Sequence, residues 1–213
     1  MPCAGSIHIC RMRVTRLQAN GAVAPGPNNS YVSNTQITVS LNAEIQEGED
    51  REVVTGCDCL CLTYKGPDKL KRWNIEAENC RIEPPLMELL LGWPIVPGVP
   101  PDFIGNVFSD DLDCSYQNNG VAIEFWADAW DSDAQLPSPY RYWHWLFTRV
   151  TWQIGDHELQ NDFMNVNLKG WTKSNTNFGD PYADQPAGLP TVYQGAYWLT
   201  DTIPDAACAY ATI

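Results

Sequence analysis

The residue types able to do chemistry in this sequence gather in a few places. Glu124, Asp128 and Asp131 flank Trp126 and Trp130. Two carboxyl groups facing each other across a cleft divide the work of a glycosidase. The rings that follow, Tyr140, Tyr142, Trp143 and Trp145, could stack on a sugar. A plainer reading suits nine Trp better: aromatic rings fill a core and the seams between subunits, where they carry most of the burial energy. In Cys57-Asp58-Cys59-Leu60-Cys61, alternate positions of a strand would put three thiols on one face, with Cys80 as a fourth. Zinc accepts four thiolates, but structural sites draw paired Cys from two separated places, and here there is one tight cluster. The thiols are expected to hold no metal and to make no essential disulfide. Asp110, Asp111 and Asp113 lack the spacing and the closing Glu of a calcium loop and read as a solvated hairpin tip. His8, His144 and His157 are scattered, and His144, inside an aromatic strand, reads as a satisfied core side chain. No glycine-rich phosphate loop and no Ser-His-Asp or Cys-His pattern stands out. The sequence predicts no catalytic, cofactor-binding or metal-ligating set.

The elements that hold these residues are strands. Tyr140 to Trp171 reads as two long ones around a turn at Gly155-Asp156. In the second, Met164, Val166 and Leu168 alternate with Asn165, Asn167 and Lys169, one face buried and one wet. In the first, Trp143, Trp145 and Phe147 occupy odd positions, but Val150, Trp152 and Ile154 occupy even ones. Either a bulge sits between them or the strand passes from one apolar environment to another, which would suit a subunit packed against neighbours. Ile7 to Leu17 reads as an opening strand, bearing the compact basic cluster Arg11, Arg13 and Arg16, and 20–33 as a loop. From Thr35 to Ile45, Ile37, Val39, Leu41, Ala43 and Ile45 alternate with Gln36, Thr38, Ser40, Asn42 and Glu44. Residues 46–72 form a long excursion, acidic at first and basic at its end, of the kind that is functional or mobile. Trp73 to Ile82 returns as a strand with Asn74, Glu76 and Glu78 outward.

Pro84-Pro85 followed by an apolar run and Gly92 marks a short helix, since Pro is tolerated in the first turn and Gly closes the last. The segment 94–101 reads as a proline-rich connection, with short strands at Phe103 to Phe108, Val121 to Ala129 and Val192 to Thr200. The expectation is one domain over 1–213, mainly β, in which the strands at 35–45, 73–82, 121–129 and 163–171 share a sheet and Leu86 to Leu91 packs on its apolar face.

The formal net charge is −13, from 13 Lys and Arg against 26 Asp and Glu. Such a chain lacks the cations needed to displace counterions from nucleic acid. No leader-like apolar run follows Met1 and no stretch has the length of a membrane span, so a cytoplasmic origin is expected, where eight Cys are thiols.

Several segments, in order, resemble the major tail proteins, the tail-tube subunits, of long-tailed siphophages infecting actinobacteria. They are Arg16-Leu17-Gln18-Ala19-Asn20-Gly21, Ile45-Gln46-Glu47-Gly48-Glu49-Asp50, Ile75 to Pro84, Leu90-Leu91-Gly92-Trp93-Pro94, Arg149 to Asp156, Leu168-Lys169-Gly170, and Trp198 to Pro204. The Cys-x-Cys-x-Cys run departs from the family pattern. The resemblance implies a β-sandwich or barrel of the tail-tube type with one flanking short α-helix. It also implies self-assembly into rings, often hexameric, stacked around a channel that passes phage DNA during ejection. Its partners would be copies of itself, other phage tail proteins and double-stranded DNA in transit. No cofactor and no membrane would be involved, and its place would be the virion tail, assembled in the host cytoplasm. Gln36, Thr38, Ser40, Asn42, Glu44, Asn74, Glu76, Glu78, Asn165 and Asn167 would face the lumen as a wall repelling DNA, with Lys169 at its edge or paired with an acid. Glu47, Glu49, Asp50, Lys65, Lys69, Trp143, Trp145 and Phe147 would meet neighbouring subunits, with the loop at about 46–72 and an extended C-terminal strand reaching them. Other readings are a tail terminator or completion ring, an aromatic-rich carbohydrate-binding module, and a glycosidase.

Overall fold

The computed structural model describes residues 5–54, 57, 60–98, 103–108, 118–130, 140–155, 165–182, 185–206 and 210. Its elements are β1 (Gly5–Arg16), β2 (Ser30–Ser33), β3 (Gln36–Gln46), β4 (Asp50–Val54), β5 (Leu60–Lys65), β6 (Lys69–Asn79), α1 (Pro84–Leu91), β7 (Ile95–Pro97), β8 (Phe103–Asn106), β9 (Val121–Trp130), β10 (Tyr142–Ile154), β11 (Val166–Thr172) and β12 (Gly195–Thr200). Asp110, Asp111, Asp113, Asp131, His157 and Met164 lie outside the described residues, as does Cys59. Among the described residues no helix is long and apolar enough to cross a membrane.

The chain is mainly β. An eight-stranded antiparallel sheet runs β2-β1-β9-β10-β11-β6-β3, with β12 also paired to β10. Its path begins at β2 and ends at β3, yet only Asn34 and Thr35 separate those two strands in the chain. A two-residue link spans roughly 10 Å at most, so the sheet curls until its edges nearly meet. Side chains close the seam in place of a ladder. Glu83 accepts from the Ser33 hydroxyl and, at 3.2 Å, from Thr35 Oγ1, while Gln36 Nε2 donates to Ser33 Oγ at 3.0 Å.

The inner face carries the core: Met12 and Val14 of β1, Ile75 and Ala77 of β6, Ile123 and Phe125 of β9, Phe147, Val150 and Trp152 of β10, and Leu168 of β11, closed by α1. The helix starts as its prolines dictate, with Pro in the first turn, and stops at Gly92, whose φ of 74° is left-handed. Leu86, Met87, Leu89, Leu90 and Leu91 are buried. The expected sheet-sharing strands and the helix on the apolar face are both present.

The change of face in β10 is resolved by a bulge. The pairing with β9 shifts between Phe147 and Val150, so the odd positions before it and the even positions after it point into one core. The first half of β10 pairs with β12 and the second with β11. Where the partners change, Gln194 fills the fork, accepting from Thr172 Oγ1 at 2.7 Å and donating to the Lys71 carbonyl at 3.0 Å.

Three segments expected to be loop or connection hold strands. β2 lies inside 20–33, buried against β1 along its whole length. The excursion 46–72 holds the hairpin β4–β5, and β7 pairs with β8 within and beyond the proline-rich connection.

Candidate assembly surfaces

The outer face of the sheet has an open half and a covered half. The open half spans β3, β6 and β11, where the ladder sets Thr38 beside Glu78 and Asn167, Ser40 beside Glu76 and Lys169, and Asn42 beside Asn74 and Trp171. The Glu78 carboxylate accepts from Asn165 Nδ2 at 2.6 Å and from Thr38 Oγ1 at 3.3 Å. Thr38, Ser40, Glu76, Glu78, Asn167 and Lys169 line a shallow depression of about 300 Å³. Of the residues expected on this face, Gln36 is the exception. A register shift between Gln36 and Thr38 turns its side chain to the seam, onto Ser33 and Asn79.

The expected acidic character of this face does not hold either. Glu44 receives Lys71 Nζ at 2.6 Å and Arg72 Nε at 2.5 Å. These two bonds, Lys71 first, hold its carboxyl down at about 2. With Lys169 set opposite Glu76, the carboxylates of Glu44, Glu76 and Glu78 are matched by the cations Lys71, Arg72 and Lys169. Lys71 and Arg72 fall in the expected excursion 46–72, but β6 begins at Lys69 and carries them onto the sheet.

The covered half spans β1, β9, β10 and β12 and lies under the segment 173–194, whose Phe178 and Tyr182 form a second apolar cluster with Leu17, Ala122 and Leu146. Beneath it Glu124, fully buried, takes Arg13 at 2.6 and 2.8 Å and His144 Nε2 at 2.9 Å. Register stacks the rings across the strands. Tyr182 lies 4.1 Å from the Arg13 guanidinium, Trp126 5.3 Å from it on another side, and His144 sits 4.2 Å from both Trp126 and Trp198. Tyr182 Oη donates to Thr15 Oγ1 at 3.1 Å. Burial, and next the charge of Glu124, push its phenol well above the ordinary value of 10. His144 is a buried core residue, as expected, with Nε2 held by Glu124. Arg13 and Arg16 do not form a basic patch, since Arg16 turns to Glu88 at 3.8 Å on the helix. Near Asp128, burial and then that carboxylate push the Cys10 thiol up to about 11, which keeps it protonated and unreactive.

The excursion is an amphipathic ribbon. Val53 pairs with Leu62 and Arg51 with Tyr64 on one face; the extra residue at the bulge, Cys61, lies on β5, so β4 keeps its alternation and the next pair, Val54 with Leu60, turns to the opposite face. Asp50, Glu52, Thr63 and Lys65 take the other. The five apolar side chains are 52–61% exposed. Glu47, Glu49, Asp50, Lys65 and Lys69 are exposed as expected, and Glu49 pairs with Arg51 at 2.8 Å. The exposed apolar side chains go beyond the acidic-to-basic excursion expected for 46–72. At the base of the ribbon Gly66 N donates to the Glu49 carbonyl at 2.8 Å and Gly48 N to Asp68 at 2.9 Å. A Cβ on Gly48 would lie 1.9 Å from the Gly66 carbonyl oxygen, so the strands can meet this closely only with glycine there. Cys57 and Cys61 are exposed on the ribbon.

Of the aromatic interface candidates, Phe147 is core, edge-on to Phe125 at 6.4 Å. The bulge places it on the inner face beneath α1. Trp143 and Trp145 are half-buried, and Trp145 stacks at 4.6 Å on Tyr197, a ring sequence reading did not single out. No protein-family model and no curated protein matches the chain.

Proposed function

We propose that this chain is a structural subunit that self-assembles into stacked rings forming the tail tube of a long-tailed phage. The observation that carries the reading is the β4–β5 ribbon. A two-stranded ribbon on its own is marginal in water, and this one exposes Val53, Val54, Leu60, Leu62 and Tyr64 without a covering element among the described residues. A surface of that kind marks an interaction site, and burying it against a neighbouring copy would hold it in shape. The sequence resemblance points to the same assembly, and the curled sheet with α1 suits a sandwich or barrel of the tail-tube type. On this reading the open half of the outer face lines the channel. Lys71 and Arg72 are paired with Glu44, Lys169 faces Glu76 across the ladder, and the rest are amides and hydroxyls, so it offers passing phosphates few free cations to bind. A charge-balanced wall replaces the repelling one expected from sequence.

The competing enzymatic and sugar-binding readings draw less support. Glu124 is sealed beneath Tyr182 and committed to Arg13 and His144. Alternation along β10 places Tyr142 on the opposite face from Trp143 and Trp145, which splits the proposed platform.

Electron microscopy of the concentrated protein tests the proposal. Tubes or stacked rings with a central channel are expected. Monomers at every concentration, together with binding on a glycan array, would replace it with the sugar-binding module. In phage, Glu76→Lys with Glu78→Lys should slow DNA ejection most at low salt. Ejection at the normal rate at all salt concentrations would remove this face from the channel wall.

A further inference from the structure

Asn106 is held where β8 meets α1. Its Nδ2 donates to the Pro84 carbonyl, at the start of the helix, at 3.0 Å and to the Trp93 carbonyl, just past its end, at 3.1 Å. Both partners are acceptors, so the amide cannot turn over and its oxygen is fixed on the other side. That Oδ1 is buried and has no donor. A buried acceptor left unmet costs more than a made hydrogen bond returns, and such a group calls for a physical reason. Asn106 also lines a groove of about 410 Å³ between α1, β8 and the ends of β10 and β11, together with Ile82, Met87, Trp93, Ile104, Phe108 and Ile154. No charged side chain is among the described residues that line it. An ion entering the groove would lose its water with no counter-charge to replace it. Ile104 is 70% and Phe108 77% exposed, the latter set edge-on against Trp93 at 4.5 Å.

We propose that this groove binds a small neutral aromatic molecule bearing a single N–H or O–H donor, of which indole is the simplest. The donor meets Asn106 Oδ1. The ring lies against Trp93 and Phe108 in offset contact and takes part of their surface out of water. A groove of this volume stands at the small end of ligand pockets, which suits one fused ring system. A planar ring also has no torsions to freeze on binding. The absence of charge from the lining sets the ligand's neutrality, and the one unmet acceptor sets its single donor. The site stands apart from the tube reading, and neither depends on the other.

The test uses the full chain, dilute enough to stay unassembled, with two probes: indole, and benzothiophene, which keeps the shape but lacks the N–H. In methyl-detected NMR the signals of Ile82, Ile104 and Ile154 should shift together and saturate with indole. Benzothiophene should bind about tenfold more weakly, the loss expected when a buried acceptor is left unmet. Ile104→Glu places a charge at an exposed rim position and should weaken indole by about tenfold, with the unfolding midpoint unchanged. Indole that fails to saturate these signals, benzothiophene that binds as well as indole, or an Ile104→Glu variant that binds like the parent would overturn the site. Signals that move with protein concentration alone and ignore indole would assign the groove to a contact between copies and would overturn it too.

Discussion

Arg13–Glu124–His144 and Arg72–Glu44–Lys71 are assembled from the same chemistry on the same outer face of the sheet, and what separates them is water. In the covered cluster every group is held by ring faces and by register, and the carboxylate has no exposed surface. Removing one partner there leaves a charge in a medium that cannot solvate it. In the open cluster solvent and salt stand ready to replace any partner. The first therefore fixes the conformation of the sheet and of the segment over it. The second tunes a surface and is free to change.

The sharpest way to break this contrast is to delete one charge on each side. Arg13→Ala or Glu124→Ala is expected to destabilise by about 3–5 kcal/mol, the range for stranding one member of a buried pair, read from denaturant unfolding. Glu44→Gln should leave the unfolding midpoint within experimental scatter. Equal effects at the two sites would dissolve the distinction.

A smaller effect sharpens the covered side. Tyr182→Phe keeps the ring over Arg13 but removes the hydroxyl donated to Thr15, and should destabilise by about 1 kcal/mol. The phenol ionises less readily folded than unfolded, so stability from this group is full below pH 10 and falls as pH rises beyond it. Unfolding followed by absorbance should begin above that pH, and Tyr182→Phe should blunt the fall.

The smallest effect concerns the open side. Glu44 ionises more readily folded than unfolded, so its contribution is present above the ordinary carboxylate value of 4.5 and is lost as pH falls towards about 2. A carbon-detected titration should place its midpoint near 2 at low salt and move it upward in strong salt. A midpoint unmoved by salt would mean that the cluster is shielded as the buried one is.

The strands with clean alternation, β3, β6 and β11, were legible from sequence, as was α1 from Pro84, Pro85 and Gly92. In β6, β11 and α1 the local pattern and the tertiary environment agree, whereas in β3 the alternation marks the strand although Ile37 and Ile45, at its ends, are exposed. β2 was hidden because Ser30 to Ser33 follows a run of Gly, Pro and Asn, and its burial comes from β1 and α1 rather than from its own periodicity. The broken pattern of β10 left two explanations open, and only the pairing with β9 selects the bulge. Gln36 fell on the wrong side because a one-residue slip at a strand end leaves no mark in composition. The covered cluster was least legible. Glu124 and His144 were noticed separately, but Arg13 lies 111 residues from Glu124 in the chain, and nothing local pairs them.

The nearly closed sheet sets an order of events during synthesis. β3 and β6 are joined through the ribbon and pair within residues 36–79, whereas β1 must wait for β9, more than a hundred positions downstream. Contacts near in sequence form before distant ones because less chain entropy is lost in closing the loop. The emerging chain can therefore zip up the half bearing the ribbon while β10 and β11, which bring Ile154 and Val166 to the groove beside α1, have not yet left the ribosome. The linear order of the strands thus makes the two halves of one sheet form at different times, the half closed by β9, β10 and β11 last.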